Sequence, residues 1–340
     1  MTWTESLNKD PLPWLLEDDA DNPGVRLFAL RDIIGLQQVA PEYKQARAKV
    51  IQSGPVPEIL NAMESAGYWF TKDRPYAKYR GTSWQIIFLA DLGADPLDER
   101  VKLACQWMLA SMKSSTGGFR FSNIKTWGPI HCFNGNVTAG LLALGQWGDE
   151  RVNEAVDWAA RSILGSESGG RPKFGTNGPG FRCSINGSLP CAWGAVKELK
   201  ALSFIPVKAR STLIQEAIEY GAEFLMNSDL AQAEYPSGNG KISPYWFKFG
   251  YPLNYTSDIL EALDVLATLG YAKDPRLSPA IEYLLSKQDS ECRWKLENTM
   301  NGKMWTNVEK RGRPSKWVTL RALRVLKAAF GDQMLDNLIS

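Results

Sequence analysis

The chain has 340 residues, 44% of them hydrophobic and 22% charged, with a formal charge of +2. That near-neutral balance argues against a general nucleic-acid binder or a polybasic membrane protein, and 13 Trp, 11 Tyr and 13 Phe exclude a disordered chain. Five cysteines at scattered spacings make no disulfide framework, so a reducing cytoplasm is the expected compartment. Residues 1–20 lack the basic-then-apolar layout of a secretory leader, and no apolar run approaches the roughly 18 residues of a membrane span. No membrane span is expected.

A long-period repeat dominates the chain. Asp21 to Leu27 reads as the opening of a helical hairpin, and first helices are expected near 25–36, 82–93, 135–147, 191–203, 255–270 and 315–330. Their partners fall near 42–66, 97–113, 149–165, 210–227 and 276–288, with the tail 332–340 as a short sixth. The tetrads Ala155-Val156-Asp157-Trp158, Ala217-Ile218-Glu219-Tyr220 and Ala280-Ile281-Glu282-Tyr283 are variants of one motif, and Ala104-Cys105-Gln106-Trp107 is a weaker copy. Asp98 and Asp149 are expected to cap partner helices, while Leu92-Gly93, Leu144-Gly145 and Leu269-Gly270 close first helices. The first helices are rich in Ala, Gly and Leu, as an inner layer requires, and loops 114–134, 166–190, 228–254 and 289–314 would crowd one end. These features predict one all-α domain over 1–340, an α/α toroid of about six inner and five to six outer helices, with its clearest repeats in 80–330. Lys197/Lys200, Glu261/Asp264 and Arg321/Arg324 occupy equivalent positions on successive inner helices. That alternation predicts lateral salt bridges holding the scaffold together.

The stretch Tyr283 to Trp294 resembles the Gln…Gly-x-Trp repeat of squalene and hopene cyclases, with Gln288 and Trp294 in place and Cys292 where glycine is expected. Gly117-Gly118-Phe119 and Gly169-Gly170 are degenerate copies. On these residues the chain is similar to the terpenoid cyclases and protein prenyltransferases, whose toroids carry prenyltransferase/squalene-oxidase repeats. The resemblance implies a toroid with a central cavity for an isoprenoid. It does not extend to chemistry: the Asp-x-Asp-Asp acid of hopene-type cyclases and the Asp-x-Cys zinc pair of prenyltransferases are both missing.

The candidate chemical groups gather at inner-helix starts. His131, the sole histidine, with Cys132, Cys183 and Cys191 has the donor types of a tetrahedral zinc site, against plain buried thiols and a hydrogen-bonded imidazole. His131 is also the only residue that could serve a Ser-His-Asp arrangement, but no nucleophile elbow accompanies it. Asp258 is the best acid candidate, with helix capping as the competing role. Trp84, Trp127, Phe133, Trp193, Tyr245, Trp246, Phe247, Tyr251, Tyr255, Trp305 and Trp317 would line a cavity. Arg313 and Lys316, in a basic stretch with Lys303, Lys310 and Arg311, would hold an anionic head group. The expected partner is a bulky hydrophobic small molecule bound by a monomer or weak homodimer. A carbohydrate-active toroid and a non-catalytic scaffold are the alternatives.

Overall fold

The computed structural model describes residues 7, 9–121, 128–165 and 180–331. Trp127, the Gly169-Gly170 copy and the 332–340 segment lie outside them. The described residues form thirteen α-helices and two short hairpins. Six of the helices make the inner layer: α2 (Pro23–Phe28, continued by a wide turn over Ala29–Ile34), α5 (Thr82–Asp91), α7 (His131–Ala143), α9 (Ala192–Ser203), α11 (Ile259–Thr268) and α13 (Lys316–Phe330). Each packs on the next, α5 on α7, α7 on α9, α9 on α11, α11 on α13, and α13 on α2. The ring closes where Gly24 of α2 meets the end of α5: a Cβ there would lie 2.3 Å from the Leu92 carbonyl oxygen and 2.7 Å from the Trp317 ring. Only glycine permits that approach.

The outer layer comprises α3 (Pro41–Gln52), α4 (Pro55–Asn61), α6 (Glu99–Met112), α8 (Glu150–Leu164), α10 (Thr212–Met226) and α12 (Ser278–Ser286). A short α1 (Leu12–Leu15) lies against α13. The chain is an α/α toroid. Asp98 and Asp149 cap α6 and α8 as expected, accepting from the backbone N–H of Arg100 and Arg151 at 2.8 and 2.9 Å. Gly93, Gly145 and Gly270 all adopt the left-handed conformation that ends an inner helix. Several boundaries differ from expectation, among them the start of α11 at Ile259 rather than 255, which leaves Tyr255 ahead of the helix. The span 42–66 is two helices, because Gly54 at φ 72° and Pro55 stop the first and start the second. The third inner helix begins at His131 rather than 135, which moves His131 and Cys132 from a loop into its first turn.

The lateral ion pairs form as the sequence predicts. Lys197 Nζ reaches the two Glu261 oxygens at 2.7 and 2.5 Å, and Lys200 lies 3.9 Å from the same carboxylate. Arg321 Nε sits 3.5 Å from Asp264, to which Arg324 also donates at 3.0 Å. The network crosses the ring as well, since Lys200 on α9 binds Asp91 on α5 at 2.9 Å.

One device recurs in the loops that follow outer helices. The Trp294 indole N–H donates to the Leu284 carbonyl, the Trp69 indole to Ile59 and the Tyr235 hydroxyl to Leu225, at 2.7, 2.7 and 2.9 Å. In each the aromatic satisfies a carbonyl ten residues upstream, at the open end of an outer helix. Two residues before the ring the backbone is left-handed: Gly67 at φ 86°, Ala233 at 52°, Cys292 at 54°, and Gly117 at 109° before Phe119. Cys292 thus adopts the conformation for which the Gly-x-Trp motif uses glycine.

Candidate functional site

The interior is not one deep cavity. Asn136 Nδ2 of α7 donates to the Asn254 carbonyl across the ring at 3.1 Å, and the Lys200–Asp91 pair spans it nearer the other end. The described residues line a cavity at the N-terminal ends of the inner helices and another toward their C-terminal ends.

The N-terminal cavity has a volume of about 760 Å³. Its walls are Tyr76, Trp193, Tyr235, Trp246 and Tyr255, with the thiols of Cys132, Cys183 and Cys191 at one side. Trp193 and Trp246 stand 6.3 Å apart, Tyr235 lies 5.2 Å from Trp246, and Lys78 Nζ sits 4.3 Å above the Tyr255 ring. Among the described residues the buried Trp193 indole N–H has no acceptor.

A two-stranded hairpin shapes the thiol wall. Its strands β1 (Arg182–Cys183) and β2 (Leu189–Pro190) pair Cys183 with Leu189, and the Cys191 N–H continues the ladder to the Phe181 carbonyl at 2.9 Å. Cys183 and Cys191 are therefore diagonal neighbours on one face. Asn186 ties the hairpin to the next loop, donating to the carbonyls of Pro190 and Pro236 and accepting from the Gly238 N–H at 3.0 Å. The neighbouring Cys191 thiol and the Asn186 and Ile185 N–H groups outweigh burial and hold the Cys183 thiol down at about 6. Cys191 is raised in return, and burial pushes Cys132 up to about 12.

The C-terminal cavity, of about 640 Å³, mixes rings and ions. Tyr251 stacks on Trp317 at 4.4 Å and 11°, and Phe28 and Phe204 complete the apolar part. Asp32, Asp91, Glu261 and Asp264 line it, each already in an ion pair with Arg or Lys.

The zinc set does not assemble. His131 is buried in the first turn of α7, where its Nδ1 lies 3.1 Å from Glu198 and its Nε2 3.5 Å from Ser162. Among the described residues no three metal-type side chains converge. The imidazole serves a buried polar cluster in which Asn134 Nδ2 also donates to Glu198 at 3.2 Å.

Asp258 lines neither cavity. It caps α11, accepting from the N–H of Glu261 at 2.7 Å and of Gly250 at 2.8 Å, with Arg321 Nη2 3.8 Å away. Burial raises its carboxyl to about 6 against the pull of Arg321. The capping role is what the structure displays.

The anionic-head reading of the basic loop also fails to assemble. Lys316 is taken up by Glu17 and Asp19 at 3.0 and 2.9 Å, and Arg313 is exposed, away from both cavities. Trp305 donates to the Arg80 carbonyl at 2.9 Å, Trp84 is buried with its N–H on the Tyr76 carbonyl, and Tyr245 is exposed. Of the aromatic candidates, Trp193, Trp246 and Tyr255 reach the first cavity and Tyr251 and Trp317 the second. Sequence reasoning missed Tyr76 and Tyr235, although Tyr235 carries the same role in its repeat as Trp294.

No protein-family model and no curated protein matches the chain. Among solved structures it is similar to an unsaturated glucuronyl hydrolase from Bacillus sp. GL1, at 12% identity over 93% of this chain and 89% of that one, with a TM-score of 0.46. It is also similar to a variant of the type II terpene cyclase MstE from Scytonema in complex with merosterolic acid A, at 14% identity over 81% and 94%, with a TM-score of 0.31. Likeness this loose carries nothing about chemistry, which has to come from the chain's own residues.

Proposed function

We propose that the protein binds a bulky apolar small molecule of isoprenoid type in the cavity at the N-terminal ends of the inner helices. The observation that carries this reading is a cavity of about 760 Å³ walled by the rings of Tyr76, Trp193, Tyr235, Trp246 and Tyr255. Apolar surface supplies the affinity. Cyclase-type protonation by Asp258 gains no support, because that carboxyl is turned to backbone N–H groups outside the cavity. A carbohydrate-active reading would use the C-terminal cavity and need two uncommitted carboxylates. All four carboxylates there are in ion pairs, so the aromatic end is favoured.

Native mass spectrometry with farnesol, geranylgeraniol and maltose tests this directly. Binding of an isoprenoid alcohol, weakened roughly tenfold or more in Trp246→Ala, which removes an aromatic wall of the cavity, is the expected result. Binding of maltose alone, or isoprenoid binding indifferent to Trp246→Ala, would overturn it.

A further inference from the structure

We infer that Cys183 and Cys191 form a redox-active dithiol that hydrogen peroxide converts to an intramolecular disulfide, a modification site on the wall of the aromatic cavity. The argument rests on placement. The two residues are diagonal neighbours on the same face of the hairpin, and both line a cavity that opens at the end of the ring. Asn186 anchors the hairpin on both sides, so the pair is held together by the fold. Of the other three thiols, Cys105 and Cys292 are fully buried, and Cys132, on the same cavity wall, sits in the first turn of α7 outside the hairpin.

The chemistry balances with peroxide as oxidant. The Cys183 thiolate attacks one peroxide oxygen, the O–O bond breaks, and the departing hydroxide takes a proton to become water. Cys183 is left as a sulfenic acid. Cys191 sulfur then attacks the Cys183 sulfur, the S–S bond forms, and the S–O bond breaks with release of a second water that carries the Cys191 proton. Two thiols and one peroxide give one disulfide and two waters. The direction of attack follows from the surroundings of Cys183, where the neighbouring Cys191 thiol and the Asn186 and Ile185 N–H groups favour its anion. The bond would fasten the hairpin to the entry of α9 beside Trp193.

Reduced full-length protein treated with stoichiometric peroxide should lose two hydrogens in mass under denaturing, non-reducing conditions. Peptide mapping should place the bridge between Cys183 and Cys191, and dithiothreitol should reverse it. In Cys191→Ser the reaction should stop at a sulfenic acid on Cys183 that dimedone traps, and Cys132→Ser should still form the bridge. A bridge to Cys132, or peroxide consumption that leaves Cys183 and Cys191 unlinked, would overturn the inference. Should a serine variant fail to fold, alkylation of the native wild type by iodoacetamide decides instead: Cys183 should react first, and slower reaction than at Cys132 would count against it. These readouts follow covalent bonds in the unliganded protein, so they stand or fall apart from isoprenoid binding.

Discussion

Lys197, midway along α9, binds both carboxylate oxygens of Glu261 in the first turn of the adjacent inner helix α11, and both side chains are buried. Burial pushes the Glu261 carboxyl up, but Lys197, Lys200 and Arg321 together hold it below the usual range. Such a pair is costly to break from one side and cheap to replace whole. Lys197→Met should therefore destabilise by about 3–5 kcal/mol, because it strands a buried carboxylate. The double variant Lys197→Met/Glu261→Leu should recover most of that loss in urea unfolding. Additive losses in the double variant would show that the two residues do not act as a unit.

The aromatic caps make a second prediction. Trp294→Phe and Trp69→Phe keep most of the buried ring and remove only the N–H to Leu284 and Ile59. Each should lower stability by about 1–3 kcal/mol, the cost of leaving a buried carbonyl without its partner plus a small packing loss. Comparable losses at the two sites, far apart in sequence, would mark the device as a property of the repeat. Losses below a few tenths would mean that water replaces the indole.

The scaffold was legible because its signals are local and periodic. Asp98 and Asp149 announce helix starts, the Leu-Gly pairs announce ends, and the Lys, Glu/Asp, Arg alternation announces neighbouring helices in the right order. The split at Gly54-Pro55 is also local, yet an amphipathic pattern running across it masks the break. The site was less legible because it depends on which way a side chain leaves its helix. One turn of difference in the start of α7 turns His131 toward Glu198 and away from a zinc role. Lys316 looks free in sequence, but its partners Glu17 and Asp19 lie almost three hundred residues away. Tyr76 enters the cavity on a loop whose path no periodicity describes.

Asp258 offers a clean separation of structure from chemistry. Asp258→Asn keeps a cap-competent side chain but gives up one of the two acceptor oxygens that hold the Gly250 and Glu261 N–H groups. A stability loss of about 1–2 kcal/mol is expected, with isoprenoid binding unchanged because the residue lines neither cavity. Loss of binding in a variant that still unfolds cooperatively would return Asp258 to the functional site.

Glu309 sets a pH dependence of folding. Its carboxyl is buried near Asp19 and raised from 4.5 to about 7, although the Ser315 hydroxyl and the Lys316 N–H both donate to it. A carboxyl raised on folding binds its proton more tightly in the native state, so its contribution is fully present below the unfolded value and is lost as pH rises through about 7. Asp258, raised from 3.8 to about 6, acts in the same sense over a lower window. Unfolding free energy should accordingly fall between about pH 5 and pH 8, by up to about 3 kcal/mol from Glu309 at roughly 1.4 kcal/mol per pKa unit. Glu309→Gln, which cannot ionise, should flatten that part of the profile, leaving the shallower slope from Asp258. A wild-type and variant profile that run parallel from pH 5 to pH 8 would show that Glu309 titrates in the folded protein as it does in the unfolded chain.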